Sequence, residues 1–194
     1  TEIAVTSCKP LPKLYAEIFS TTYNPSVGGD GVPLISTAHP IDGGTVANTP
    51  STQVGLNEAT LLNGMISVRT NFKDQAGLKV FARGRKLIVP PQLEPTAIRL
   101  TKTELRPGTA DNDVNAIRNN GTIPGGYAVN HYLTDADAWF LTTNVPNGLM
   151  RFNRRATEFK QDNDFDTENA KAKATLRFAV GWTDWRGIYG TPGA

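Results

Sequence analysis

Hydrophobic residues recur at every second position near the end of the chain. Ala172, Ala174, Leu176, Phe178, Val180 and Trp182 alternate with Lys173, Thr175, Arg177, Ala179 and Gly181. A period of two sustained over eleven residues specifies a long β-strand with one apolar and one polar side. Such a strand belongs in an antiparallel sheet buried on one face only. Helical spacing takes over elsewhere. Leu61, Met65, Val68 and Phe72 follow an i, i+4, i+7, i+11 stripe, widened by Leu62 and Ile66. Asn57 is placed to cap this helix, and Leu56 with Leu61 to staple its entry. Gly77 ends the pattern.

Weaker patterns fill in the rest. Leu14 and Ile18, flanked by Tyr15 and Phe19, predict a short amphipathic helix over 12–23, with Pro12 in its first turn. Residues 85–89 read as a strand stopped by Pro90-Pro91, and Pro91 opens a helix that aligns Leu93, Ala97 and Leu100 and runs to about Leu105. Pro95 lacks an amide hydrogen, which moves the start of that helix toward it. Residues 127–133 and 138–143 read as two strands around a turn at 134–137. From Asn24-Pro25 to about Gly55, Gly, Pro, Ser and Thr dominate, as in Gly28-Gly29-Asp30-Gly31 and Asp42-Gly43-Gly44. A structureless connection of roughly 30 residues is long, and is expected to be functional or stabilised by a neighbouring chain. Together these elements predict an α+β fold without internal repeats.

Composition narrows the function. With 194 residues the chain is long enough for one large domain, or a compact domain plus a smaller layer. A single cysteine, Cys8, rules out an internal disulfide. No apolar run approaches the ~20 residues that span a bilayer, so no membrane partner is expected. A formal charge of +2 argues against sequence-specific DNA binding. The 18 Gly and 13 Pro are spread along the chain, which implies many turns rather than disorder. The chain starts at Thr1 without a signal-peptide pattern, so a processed start or a fragment is expected.

Catalytic signatures are sparse. A nucleophile and its base require a histidine or an equivalent, and the histidines are His39, in the long loop, and His131, within a predicted strand. Gly-x-Ser-x-Gly, Walker, Cys-x-x-Cys and His-Glu-x-x-His motifs are missing from the sequence. Asp162, Asp164, Asp166 and Glu168 set oxygen ligands at alternate positions, as calcium loops do. However, Thr167 stands at the sixth position where such loops need Gly, and Lys173 at the twelfth where they need Glu. Asp135 and Asp137 are a second carboxylate pair, better explained as turn residues. No cofactor or metal is expected. Basic Arg151, Arg154, Arg155 and Lys160 directly precede the acidic Asp162, Asp164, Asp166 and Glu168. Adjacent blocks of opposite sign can be matched head to tail by a second copy, which makes these eight residues candidates for a subunit interface.

Several stretches carry a family resemblance: RKLIVPP at 85–91, LRPGTADNDVN at 105–115, LTDADAWF at 133–140, DNDFDTENAK at 162–171, and the ending GWTDWRGIYGTPGA at 181–194. In this order, over nearly the whole chain, they resemble the major head subunits of Mu-like phages and prophages. The resemblance implies the Hong-Kong-97-type capsid fold and a non-enzymatic shell protein of the virion, assembled in the bacterial cytoplasm. It implies self-association into hexamers and pentamers of an icosahedral head that encloses DNA non-specifically, with portal, scaffold or decoration proteins as further partners. On this mapping, residues 1–55 hold a peripheral-domain helix and the long loop, 56–150 the axial domain, and 151–194 the strands returning to the peripheral domain and the C-terminus. Nothing before Pro12 resembles that family's N-terminal arm, extended loop or spine helix, so the chain is expected to be its C-terminal two-thirds. The rival reading is a hydrolase or metal-dependent enzyme using His39 or His131 with Asp135, Asp137 or the 162–166 carboxylates.

Overall fold

A computed structural model describes residues 28–105, 113–119, 121–163 and 170–192. The helix predicted over 12–23 lies outside them. The fold mixes helices and strands, as the sequence patterns predict. Helix α1, Glu58–Asn71, forms as expected: the Asn57 side chain accepts from the Thr60 amide at 2.8 Å, and the Thr60 hydroxyl accepts from the Asn57 amide at 2.9 Å. This reciprocal pair satisfies two amides that a helix start leaves unpaired. Leu61, Met65, Val68 and Phe72 are buried, and so is Leu56, while Ile66, assigned to the same stripe, is 57% exposed.

Two short hairpin strands, β1 (His39–Ile41) and β2 (Gly44–Val46), turn through Gly43 in the left-handed region at φ 83°. This hairpin corrects the expectation of a structureless stretch that relies on a neighbour. Leu34, His39, Val46 and Asn48 are buried within the chain itself.

The central sheet has four strands: β3 (Gly84–Val89), β4 (Tyr127–Val129), β5 (Trp139–Thr143) and β8 (Ile188–Thr191), in the order β4-β3-β5-β8. The two segments predicted around the 134–137 turn are therefore not neighbours, because β3 lies between them. β4 runs parallel to β3, and β5 antiparallel to it. A parallel pair needs a long crossover. Here it consists of a 3₁₀ turn at Pro91–Leu93, helix α2 (Glu94–Lys102) and helix α3 (Ala116–Asn119). α2 ends at Lys102 and not near Leu105, with Pro95 in its first turn, where a missing amide costs nothing. Ala97 and Leu100 bury its inner face.

The sheet's core is aromatic. Trp139, Phe140 and Leu141 on β5 and Ile188 and Tyr189 on β8 are buried with α1. Gly64 is where helix and sheet meet most closely: a methyl there would lie 2.9 Å from the Tyr189 ring and 3.2 Å from Trp139. Residues 188–191 were not predicted as a strand, since four residues are too few to show a period.

Candidate assembly surface

Two long strands, β6 (Leu149–Asn163) and β7 (Ala170–Trp182), pair antiparallel with each other and, among the described residues, with no other strand. Leu149 faces Trp182 at the base and Asp162 faces Lys171 near the tip. Residues directly opposite in an antiparallel pair share a face. One face therefore collects Leu149, Arg151, Asn153 and Phe159 with Trp182, Val180, Phe178, Leu176 and Ala174. The other collects Phe152, Arg155, Glu158, Lys160 and Asp162 with Ala179, Arg177, Thr175, Lys173 and Lys171. The predicted alternation is real, but its apolar face is not covered by a further layer of the described residues. Phe159 is 67% exposed and Leu176 37%, and Phe152 on the opposite face is 46% exposed. An isolated two-stranded ribbon is marginal in water, and exposed apolar side chains such as these are of the kind a partner surface covers.

The base of the ribbon is fixed by backbone. A Cβ on Gly187 would come 2.4 Å from Gly148 Cα, and one on Gly148 would come 2.8 Å from Gly187 Cα, so the two chain segments cross where only hydrogen fits. Beside the crossing, Thr183 and Asp184 donate their amides to the Asn147 carbonyl at 3.2 and 3.0 Å, and the Thr183 hydroxyl donates to it at 2.6 Å. β6 reads poorly as a strand because two irregularities, around Asn153/Arg155 and Arg155/Glu158, each insert a residue and shift the period.

The interface candidates are distributed along this ribbon. Arg151 lies over the Phe178 ring at 4.7 Å, and Arg155 pairs with Glu158 at 3.2 Å. Arg155 sits opposite Arg177, and Lys160 opposite Lys173. Arg154 is exposed on β6. Asp162 lies across from Lys171. Asp164, Asp166 and Glu168 lie outside the described residues. The shaft is thus dominantly basic, and the acidic run begins only at its far end.

The residues of the rival enzymatic reading are placed otherwise. His131 is exposed in a turn that follows β4, not inside a strand, because the Asn130 side chain accepts the Tyr132 amide and bends the chain away. His39 is fully buried on β1. Its ring stacks on Trp185 at 4.2 Å and 4°, its Nδ1 lies 2.6 Å from Asp30 Oδ2, and its Nε2 lies 3.3 Å from Asn48 Oδ1. Asn48 Nδ2 donates to the Leu34 carbonyl at 2.7 Å and lies near those of Trp185 and Ile188, which orients its oxygen toward His39 and the Ser36 amide. This cluster is a clamp joining the 28–48 segment to the C-terminal strand. Within it His39 is fully buried, while Asp30 and Trp185 also line an open pocket beside Arg186. Arg186, which lies over Trp185 at 4.6 Å, donates to the Lys73 carbonyl at 2.5 Å and pairs with Asp184 at 3.0 Å.

Asp135 accepts the Asp137 amide at 3.4 Å. A hydrogen bond with the Asp137 carboxyl, helped by partial burial, holds the Asp135 carboxyl above the ordinary aspartate range. Burial likewise raises the Tyr189 phenol, opposed by a hydrogen bond with Ser67. Among the described residues no group of three or more His, Cys, Asp or Glu is arranged to hold a metal ion. No described helix is long and apolar enough to cross a membrane.

Comparison with known proteins gives a direct result. No curated protein matches the sequence. The structure is similar to the crystal structure of a virus-like particle from Pyrococcus furiosus, at 12% identity and a TM-score of 0.41, covering 74% of this chain. The chain spans 55% of the length of that particle's chain. A family model described as phage capsid protein matches residues 13–191. That match takes in α1, the central sheet and the whole ribbon, and this chain belongs to the phage capsid protein family, whose members are structural components of the virion.

Proposed function

We propose that the chain is a major head subunit of the Mu-like kind, built on the Hong-Kong-97-type capsid fold, which self-assembles into the hexamers and pentamers of an icosahedral head. The observation that carries this reading is the family match over residues 13–191. In this arrangement residues 56–150 form the axial domain around the capsomer centre, while 1–55 and 151–194 supply peripheral parts. Copies associate by repeating one heterologous contact, which closes into rings when the rotation allows. The uncovered apolar face of the ribbon and its basic shaft supply area and charge for such contacts. The shell encloses DNA without reading its sequence, and portal, scaffold or decoration proteins join it.

Electron microscopy and light scattering of the purified protein, with scaffold and portal present, test the proposal. Closed particles of uniform size are expected. A protein that stays monomeric across a wide concentration range would overturn it.

A further inference from the structure

The β6–β7 ribbon has two long outer edges, and they are built differently. Between Asn153 and Glu158, β6 twice takes one more residue than β7 does over the same stretch. Such bulges twist an edge and spoil it as a template for a further strand. β7 carries no extra residue over Ala170–Trp182, and no other strand pairs with its outer edge among the described residues. A long, regular, open edge is where an extended segment of another chain can be added, main chain to main chain.

The side chains of β7 select the segment that fits. Its apolar side changes size along the strand, with Ala172 and Ala174 toward the tip and Phe178 and Val180 toward the base. Its polar side carries Lys171, Lys173 and Arg177 and no carboxylate. A second β7 running antiparallel, with Leu176 opposite its own copy, suits both sides. Ala174 then faces Phe178 and Ala172 faces Val180, so each large side chain stands across from a small one. On the polar side Lys171 faces Gly181, Lys173 faces Ala179 and Arg177 faces Thr175, so no cation meets another. A slip of one residue would set the apolar side of one copy beside the polar side of the other. A slip of two sets either Lys173 opposite Arg177 or Arg177 opposite itself, and like charges directly opposite are unfavourable.

We infer that β7 pairs with β7 of a second copy across a two-fold axis at Leu176, giving a four-stranded sheet in the order β6-β7-β7-β6 with one continuous apolar side. Four strands with an apolar side pass the strand number that an independent sheet needs, which two do not. The contact is isologous, so it joins two copies and stops. It rests on the shell-protein reading above, in which it ties the peripheral parts of neighbouring rings together.

The test uses the whole chain with Cys8→Ser, so that every thiol is an introduced one. Leu176→Cys should form a disulfide-linked dimer under mild oxidation, because residues directly opposite one another lie within disulfide reach. Lys173→Cys and Ala179→Cys should link when mixed and not when oxidised separately. Two ribbons stacked through their apolar sides would give the first link without the second, which would overturn the strand pairing. Absence of both links overturns it whether or not particles form. Both links in a protein that forms dimers and no particles would uphold the pairing and remove the shell reading instead. Charge supplies a second measurement. Thr175 faces Arg177 of the second copy in this register, but Glu158 within its own ribbon. Thr175→Glu should tighten self-association about fivefold and Thr175→Lys weaken it about as much, since two such pairs form per contact. The melting temperature should move the opposite way, upward for lysine and downward for glutamate. Sedimentation that shows association following the melting temperature, or not moving at all, sinks the inference.

Discussion

The central sheet and the β6–β7 ribbon are both written in alternating sequence, yet they treat their apolar sides in opposite ways. In the sheet, Trp139, Leu141 and Tyr189 are covered by α1 and held at backbone distance by Gly64. In the ribbon, the side bearing Leu176, Phe178 and Phe159 has no helix over it among the described residues. Alternation therefore specifies a sided strand, and whether that side is buried depends on what lies across from it. The sheet is finished within the chain. The ribbon's apolar side is left open among the described residues.

The contrast is sharpest in paired truncations. Trp139→Ala removes a fully buried ring together with its hydrogen bond to the Val54 carbonyl, and is expected to cost about 3–5 kcal/mol. Phe159→Ala, on the exposed ribbon, should change monomer stability by less than about 0.5 kcal/mol while weakening assembly. Urea melts beside particle yields separate the two, and equal losses of stability would erase the distinction. At the junction of the regions, Gly187→Ala forces a methyl onto the Gly148 backbone and is expected to cost about 1–3 kcal/mol, read as a lowered melting temperature. Next in size is Arg154→Glu with Arg155→Glu. This double reversal should leave the melting temperature nearly unchanged and depress assembly most at low salt, where charges on the shaft are least screened. Unaltered assembly across a salt series would place both residues on a free surface.

The smallest effect lies in the turn before β5. The folded Asp135 holds its proton more tightly than an ordinary aspartate. The sign follows from linkage: stability tied to this group is complete below the ordinary aspartate value and is lost as the pH rises through the raised one. Asp135→Asn should therefore stabilise the protein slightly at neutral pH and leave it unchanged near pH 3. Chemical denaturation at the two pH values checks this, and a loss at neutral pH would contradict the carboxyl–carboxyl hydrogen bond.

Elements whose signal is local were legible in the sequence. The Asn57 cap, the Leu61–Phe72 stripe and the β7 alternation each depend on neighbours a few residues away. What could not be read depends on distant pairing. β8 is four residues whose register with β5 decides that they are a strand, and β3 separates β4 from β5 although they follow one another in sequence. β6 was hidden by its own irregularities, which interrupt the period of two that marks β7. The burial of His39 rests on Asn48 and on Trp185, which is far along the chain, so its sequence context, Ala-His-Pro, suggested only a loop. For the candidate surface, charge polarity was visible from the order of Arg151 to Glu168. Its geometry was not, because the register of β6 with β7 decides which charges stand opposite one another, as Arg155 does Arg177 and Lys160 does Lys173.

The crossing of Gly148 and Gly187 has a mechanical meaning. β6 leaves the body directly after Gly148, and Gly187 lies in the turn that follows β7, so the contact braces the base of a lever about 40 Å long. A tilt of about 10° at the pivot sweeps the far end through about 7 Å, roughly the width of a side chain contact and more. The direction of the ribbon is thus set where two backbones touch without side chains between them, and one added methyl group there would redirect the whole lever.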